Sequence, residues 1–147
     1  WGPGATPAGG AARSAWALAE DVDAVIVALG ANDVLRGIDP GVSRSNLEIV
    51  TAEVAKRALP SLLTGVPAPG NYGPEYKESF DGIYPDLADT YGALLYPNFL
   101  NALADGESLA DARDLMQEDG IHPNADGVAK IVADLGPVVL DLVARAR

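Results

Sequence analysis

Residues 23–30 read DAVIVALG, and the apolar run from Ala24 to Leu29 decides the fold. An apolar run without alternation describes a strand covered on both faces, and such strands belong to parallel sheets. Residues 61–66 (SLLTGV) and 93–97 (ALLYP) repeat the pattern in shorter form. Elsewhere the apolar spacing becomes helical. Leu47, Val50, Val54 and Leu59 share a face of a segment from Ser43 to Leu59. Phe80, Ile83, Leu87 and Tyr91 do the same from Glu75 to Tyr91, where Pro85 is expected to introduce a kink. Ala11–Ala19 has helical composition, with Trp16 and Leu18 offering apolar surface. Asn124 caps a last helix reaching about Arg145, with a bend expected at Gly136 and Pro137. Residues 31–42 read as loop, and 98–123 as loop with short helix. Strands alternating with helices predict an α/β three-layer sandwich, α/β/α, around a parallel sheet with right-handed crossovers. Three strands are few for such a sheet, which averages about five or six.

The chain has 147 residues, 48% of them hydrophobic and 21% charged, which suits a single domain, residues 1–147, with a real core. Ten basic against 21 acidic residues give a net charge of −11, so a polyphosphate backbone is repelled and nucleic acid is excluded as a partner. The acidity is scattered, as on a solvated surface. No apolar run reaches the length of about 18 residues needed to span a membrane, so stable membrane insertion is not expected. There is no cysteine, hence no disulfide, thiol nucleophile or thiolate metal site. The opening WGPGATPAGG has neither an initiator methionine nor the regions of a signal peptide. It reads as a loop cut open, and the chain is expected to be truncated at its amino terminus.

Two short polar motifs follow apolar segments. GAND, residues 30–33, lies directly after the 24–29 strand, and ligands of open parallel sheets bind beyond the carboxyl ends of strands. Asn32 offers a side-chain amide to a developing oxyanion, although Asn and Asp more often simply make a turn. DGIHP, residues 119–123, holds the only histidine. Asp119 precedes His122 by three residues, Gly120 permits the tight fold between them, and Pro123 keeps His122 extended. That spacing lets a carboxylate hold one ring nitrogen while the other faces outward as a base. The bland alternative is a surface histidine before a helix cap.

The serines are Ser14, Ser43, Ser45, Ser61, Ser79 and Ser108. None lies in a Gly-x-Ser-x-Gly elbow or at the carboxyl end of an expected strand, and Ser43 and Ser45 read as helix-capping residues. One histidine among scattered carboxylates makes no recognisable metal ligand set, and there is no dinucleotide or phosphate-loop motif.

Together these segments resemble the SGNH (GDSL-type) hydrolases, in the branch of acyl-CoA thioesterases, lysophospholipases and arylesterases. GAND, with its surroundings VIVALGANDVLRGIDP, is similar to that family's Gly-x-Asn-Asp block, and DGIHPN to its Asp-x-x-His block. APGNYGPEY resembles the branch's Asn-Tyr-Gly loop, and GATPAGGAAR the glycine that precedes its Thr-x-x-Gly-Gly helix start. The resemblance runs from about residue 2 to 135, and four motifs in order weigh far more than any one. It implies Asp119 and His122 as triad acid and base, with Asn32 and Gly4 as side-chain and backbone donors to the oxyanion. It also implies a flavodoxin-like, five-stranded parallel sheet in the order 2-1-3-4-5, of which this chain holds the last three strands. The strand at 24–29 would then be an edge strand without charge or proline.

The same resemblance implies a small acyl ester or thioester substrate, no cofactor, and a periplasmic or secreted location. The family's Gly-Asp-Ser block, the first two strands and the intervening helix are absent, so activity is expected to need an amino-terminal segment carrying the serine. Two further departures, Ala5 for the usual aspartate and Val34 for a frequent glycine, touch loop packing. Two other readings stand beside this one: a non-catalytic binding module that has lost its serine, and a carbohydrate acetylesterase.

Overall fold

The computed structural model describes residues 5–103 and 109–146, apart from the side chains of residues 15, 16 and 109–111. The expected surface role of Trp16 therefore lies outside the described residues. Three strands, β1 (Val25–Val27), β2 (Ser61–Thr64) and β3 (Leu94–Tyr96), form a parallel sheet in the order β1-β2-β3. Val25 pairs with Ser61 and Leu62 with Leu94, so the carboxyl ends of all three strands lie on one edge. The helices are α1 (Pro7–Ala17), α2 (Ala31–Leu35), α3 (Pro40–Lys56), α4 (Pro74–Asp81), α5 (Ile83–Tyr91) and α6 (Ala125–Arg145). Short 3-10 helices occupy Gly70–Tyr72, Asn101–Leu103 and Leu109–Leu115.

Successive residues of each strand feed opposite faces of the sheet. Leu63 joins Val27, Leu29, Leu47, Val50, Phe80 and Leu87 in the core beneath α1, α3, α4 and α5. Leu62 joins Tyr96 and Leu142 beneath α6 on the other face. The result is the expected three-layer α/β/α arrangement. Fully burying each such side chain is worth about 1.5–3 kcal/mol. Tyr96 also bonds to Asp134 of α6, and burial together with that bond pushes its phenol up to about 12.

The continuous apolar runs hold for β2, all of whose residues are buried. They fail for β1, where Ile26 is 39% exposed. α6 lies over β2 and β3, so the outer face of β1 is open, and among the described residues β1 has a neighbour on one side only. A cavity of about 400 Å³ opens along that edge, lined by Leu18, Val22, Ile26 and Val54 among others.

Three expected boundaries move. The 31–42 stretch is not loop: it holds α2, and α3 begins inside it. Asp39 accepts the Gly41 N–H at 2.8 Å and Pro40 takes the first helical position, a start signal hidden by reading Pro-Gly as breakers. α1 starts the same way, with Thr6 accepting the Gly9 N–H and Pro7 first. The 75–91 helix is two helices meeting at Gly82. Pro85 has no N–H for the Asp81 carbonyl, so the helix breaks one turn earlier and Pro85 falls in the first turn of α5, where that N–H is not needed. α6 begins at its expected cap and runs through Pro137 as a single helix.

Gly65 closes β2. Its N–H donates to the Tyr96 carbonyl and its carbonyl accepts from Phe99, both at 2.8 Å. A Cβ there would sit 2.2 Å from the Pro97 carbonyl oxygen, which is backbone and cannot turn aside. Gly65→Ala is expected to cost about 2–4 kcal/mol. Urea unfolding checks it through a lowered midpoint at unchanged slope.

Candidate active site

The 117–124 loop is organised around one carboxylate. Asp119 Oδ1 accepts the backbone N–H groups of Ile121 at 2.9 Å and His122 at 3.0 Å. Its Oδ2 lies 2.7 Å from His122 Nδ1. Gly120, at φ +65°, makes the reversal, and its position is open enough that conformation rather than space requires glycine. The loop is then tied to the 3-10 helix before it. The Asn124 backbone N–H donates to the Leu115 carbonyl at 2.9 Å and its side chain to the Asp114 carbonyl at 2.8 Å, while within the loop Gln117 N–H donates to the His122 carbonyl at 2.7 Å. Asn124 also accepts from Asp126 and Gly127, capping α6. Gly127 lets the two segments meet, since a Cβ would stand 2.3 Å from the Leu115 carbonyl oxygen.

With Nδ1 held by the carboxylate, the opposite ring nitrogen of His122 is turned away from Asp119. The side chain is 68% exposed. The bond to the His122 ring is the main reason the Asp119 carboxyl is held down to about 2; the two backbone N–H bonds add to it. The contribution to folding is present above the ordinary carboxylate range and is lost as pH falls through about 2.

The GAND loop is built differently. Gly30, at φ +117°, turns the chain from β1 into α2. Asp33 is buried and accepts the Ser43 hydroxyl at 2.8 Å, which ties α2 to α3. Ser43 is thus not a helix cap, and Ser45 donates to the Gly41 carbonyl inside α3. Val34, where the resemblance expects glycine, fills the core. Asn32 donates one amide hydrogen to the Ala5 carbonyl at 3.0 Å, and its amide carries a second N–H. Beside it lies a cleft of about 230 Å³, lined by Ala5, Gly30, Asn32, Thr64, Val66 and Phe99 among others. Gly4 lies outside the described residues.

Asp119 and His122 are in direct contact; the GAND motif directly follows β1, and the chain reaches the Asp119 loop from the end of β3 through two 3-10 helices. Phe99 is the link. It lines the cleft at Asn32 and packs in the cluster of Leu103, Leu115, Met116 and Ile131 from which the Asp119 loop springs. His122 itself does not line that cleft. What the sequence reading missed is the support of the GAND loop: Asp33 with Ser43, and the tyrosines at 72, 76 and 84. With Phe80 between them they recur every fourth residue, which was the visible signal.

A parallel three-layer sandwich with an Asp–His pair and an amide-bearing loop at the carboxyl edge of its strands has the layout of a hydrolytic α/β protein. The chain belongs to the GDSL-like lipase/acylhydrolase family, a family of ester hydrolases, whose sequence model matches residues 3–130. It is 35% identical over 141 residues to the esterase TesA of Pseudomonas aeruginosa, a match covering 95% of this chain and 67% of that protein. It is 38% identical over 102 residues to thioesterase 1/protease 1/lysophospholipase L1 of Escherichia coli K12, covering 69% of this chain and 46% of that one. The crystal structure of AlinE4, an SGNH-hydrolase family esterase, superposes with a TM-score of 0.71 at 40% identity, over 94% of this chain and 71% of that one. The chain thus spans between about half and seven-tenths of the lengths of these relatives. Among the described residues, no helix is long and apolar enough to cross a membrane.

In an NMR titration of the side-chain carboxyls, Asp119 is expected to have its midpoint near 2. In His122→Ala the midpoint rises toward 3.8 without reaching it, because the backbone donors at 121 and 122 remain. A midpoint unmoved by the substitution would mean that the backbone bonds alone hold the carboxyl down.

Proposed function

We propose that this chain supplies the acid–base and oxyanion parts of a serine hydrolase acting on small acyl esters or thioesters. The observation that carries the reading is the 2.7 Å contact between Asp119 and His122 Nδ1. Asp119 fixes the tautomer and orientation of His122, whose outward nitrogen takes the proton of a serine as the serine oxygen attacks the acyl carbonyl. Asn32 donates its free N–H to the oxyanion, with the backbone N–H of Gly4 as second donor. His122 then returns the proton to the leaving alcohol or thiol. Water, activated by the same nitrogen, releases the acid from the acyl-enzyme.

The serine of this scheme is none of those described. Ser14, Ser43 and Ser45 spend their hydroxyls on Ala11, Asp33 and Gly41, Ser61 is buried in β2, and Ser79 lies exposed in α4 and does not line the cleft at Asn32. The nucleophile is assigned to an amino-terminal Gly-Asp-Ser segment beyond these 147 residues, seated in the family manner beside β1. Folding as one domain with that segment, and a location outside the cytoplasm, belong to the same proposal; the location rests on the family resemblance alone.

The test joins the chain to a Gly-Asp-Ser segment of the family and assays short acyl p-nitrophenyl esters. The chain alone is expected to match its His122→Ala control and to resist a serine-directed phosphonate. The fusion is expected to react with the phosphonate and to lose about 10³-fold or more in kcat with His122→Ala. Stoichiometric labelling of the chain alone with loss of turnover, or a fusion indifferent to His122→Ala, would overturn the assignment.

A further inference from the structure

The four aromatic side chains Tyr72, Tyr76, Phe80 and Tyr84 recur every fourth residue, across the Gly70–Tyr72 turn, α4 and the start of α5. Their rings form a column, with successive centroids 4.9, 5.9 and 6.2 Å apart. Each of the three hydroxyls is spent on the same neighbouring segment. Tyr84 donates to the Leu29 carbonyl at 2.9 Å, Tyr72 to the Leu35 carbonyl at 3.2 Å, and Tyr76 to the Ile38 carbonyl at 2.8 Å. The column therefore grips residues 29–38 at three points, and Asn32 lies between the first two.

Tyr84 holds the decisive point. Leu29 is buried two residues beyond the last ladder pair of β1, Val27 with Leu63, so the sheet offers its carbonyl no partner. A buried carbonyl without a partner is costly, and the Tyr84 hydroxyl supplies one. The same hydroxyl rests against Gly30: a Cβ on that residue would lie 2.0 Å from the Tyr84 oxygen, and the backbone there already sits at φ +117°. Burial, aided by Asp33 and Asp81, pushes the phenol above its ordinary range, so it stays a donor. On the far side of α2, Asp33 is fixed by Ser43, and Asn32 by its bond to Ala5. An amide meant to stabilise a transient oxyanion must be held before the charge appears, because reorganisation at that moment raises the barrier.

We propose that Tyr84 is a positioning residue for Asn32, acting through the Leu29 carbonyl and the Gly30 turn, with Tyr76 and Tyr72 steadying the far end of the same loop. This rests on the oxyanion role given to Asn32 above, and its test separates the two.

In the 147-residue chain, Tyr84→Phe keeps the ring column and removes one hydroxyl. Amide hydrogen exchange is expected to quicken at least tenfold at Val34, whose N–H bonds the Gly30 carbonyl, and to stay unchanged at Val128 in α6. Tyr76→Phe, acting four residues beyond Val34, gives a smaller change at Val34. In the serine-bearing fusion, Tyr84→Phe is expected to lower kcat about tenfold with KM within twofold, and to add nothing in an Asn32→Ala background. Unchanged exchange at Val34, or kcat losses that multiply with those of Asn32→Ala, would overturn the positioning role. If Asn32→Ala alone leaves kcat intact, the oxyanion assignment falls, while the exchange result still decides whether Tyr84 fixes the loop.

Discussion

Parallel pairing of β2 with both of its neighbours is the constraint from which the rest follows. A parallel ladder sends every strand the same way, so the turns after β1, β2 and β3 must emerge at one edge. The chain can return to the opposite edge only through a crossover; α2–α3 and α4–α5 are those crossovers and build one outer layer, while α6, after β3, covers the other face. β2, buried throughout, is the element both layers share: Leu62 belongs to one core and Leu63 to the other. Gly65 then allows the Pro97–Phe99 turn to come against its backbone, and Phe99 packs in the cluster of Leu103, Ala112 and Ile131, with Leu115 and Met116 just ahead of the histidine loop.

Two kinds of order hold the loops of the candidate site. The Asp119–His122 turn is local and exposed, and its geometry comes from hydrogen bonds between residues no more than three apart. Exposure leaves the outer ring nitrogen accessible to whatever binds there. The Gly30–Ile38 segment is the opposite case. Its polar groups are met from distant elements: Asp33 by Ser43, the Leu29 carbonyl by Tyr84, the Ile38 carbonyl by Tyr76. Such a loop keeps its shape without a ligand. The role proposed for Asn32 requires such order beforehand, whereas the proton transfer proposed for His122 requires access first.

β1 is where the sheet departs from its own sequence pattern. A run of residues fit for burial on two faces occupies an edge, and Ile26 is left partly open because α6 covers only β2 and β3. The apolar pattern records the environment a strand is suited to, and neighbours decide how much of that environment exists.

The sequence by itself determined what depends on near neighbours. The strand cores, the Asn124 cap, the glycine-assisted Asp119–His122 turn and the alternation that demands a layered α/β fold were all legible, because each is set within a few residues. It also carried signals that were easy to misread, such as Asp39–Pro40 as a helix start and the four-residue aromatic spacing from Tyr72 to Tyr84. Only the tertiary structure decided that Asn32 bonds to Ala5, 27 residues away, and that Tyr84 reaches the Leu29 carbonyl across 55. Partners so far apart meet only after the helices have packed on the sheet. The physical reason is that loop closure over such distances is driven by burial of the common core, which no local pattern of residues specifies.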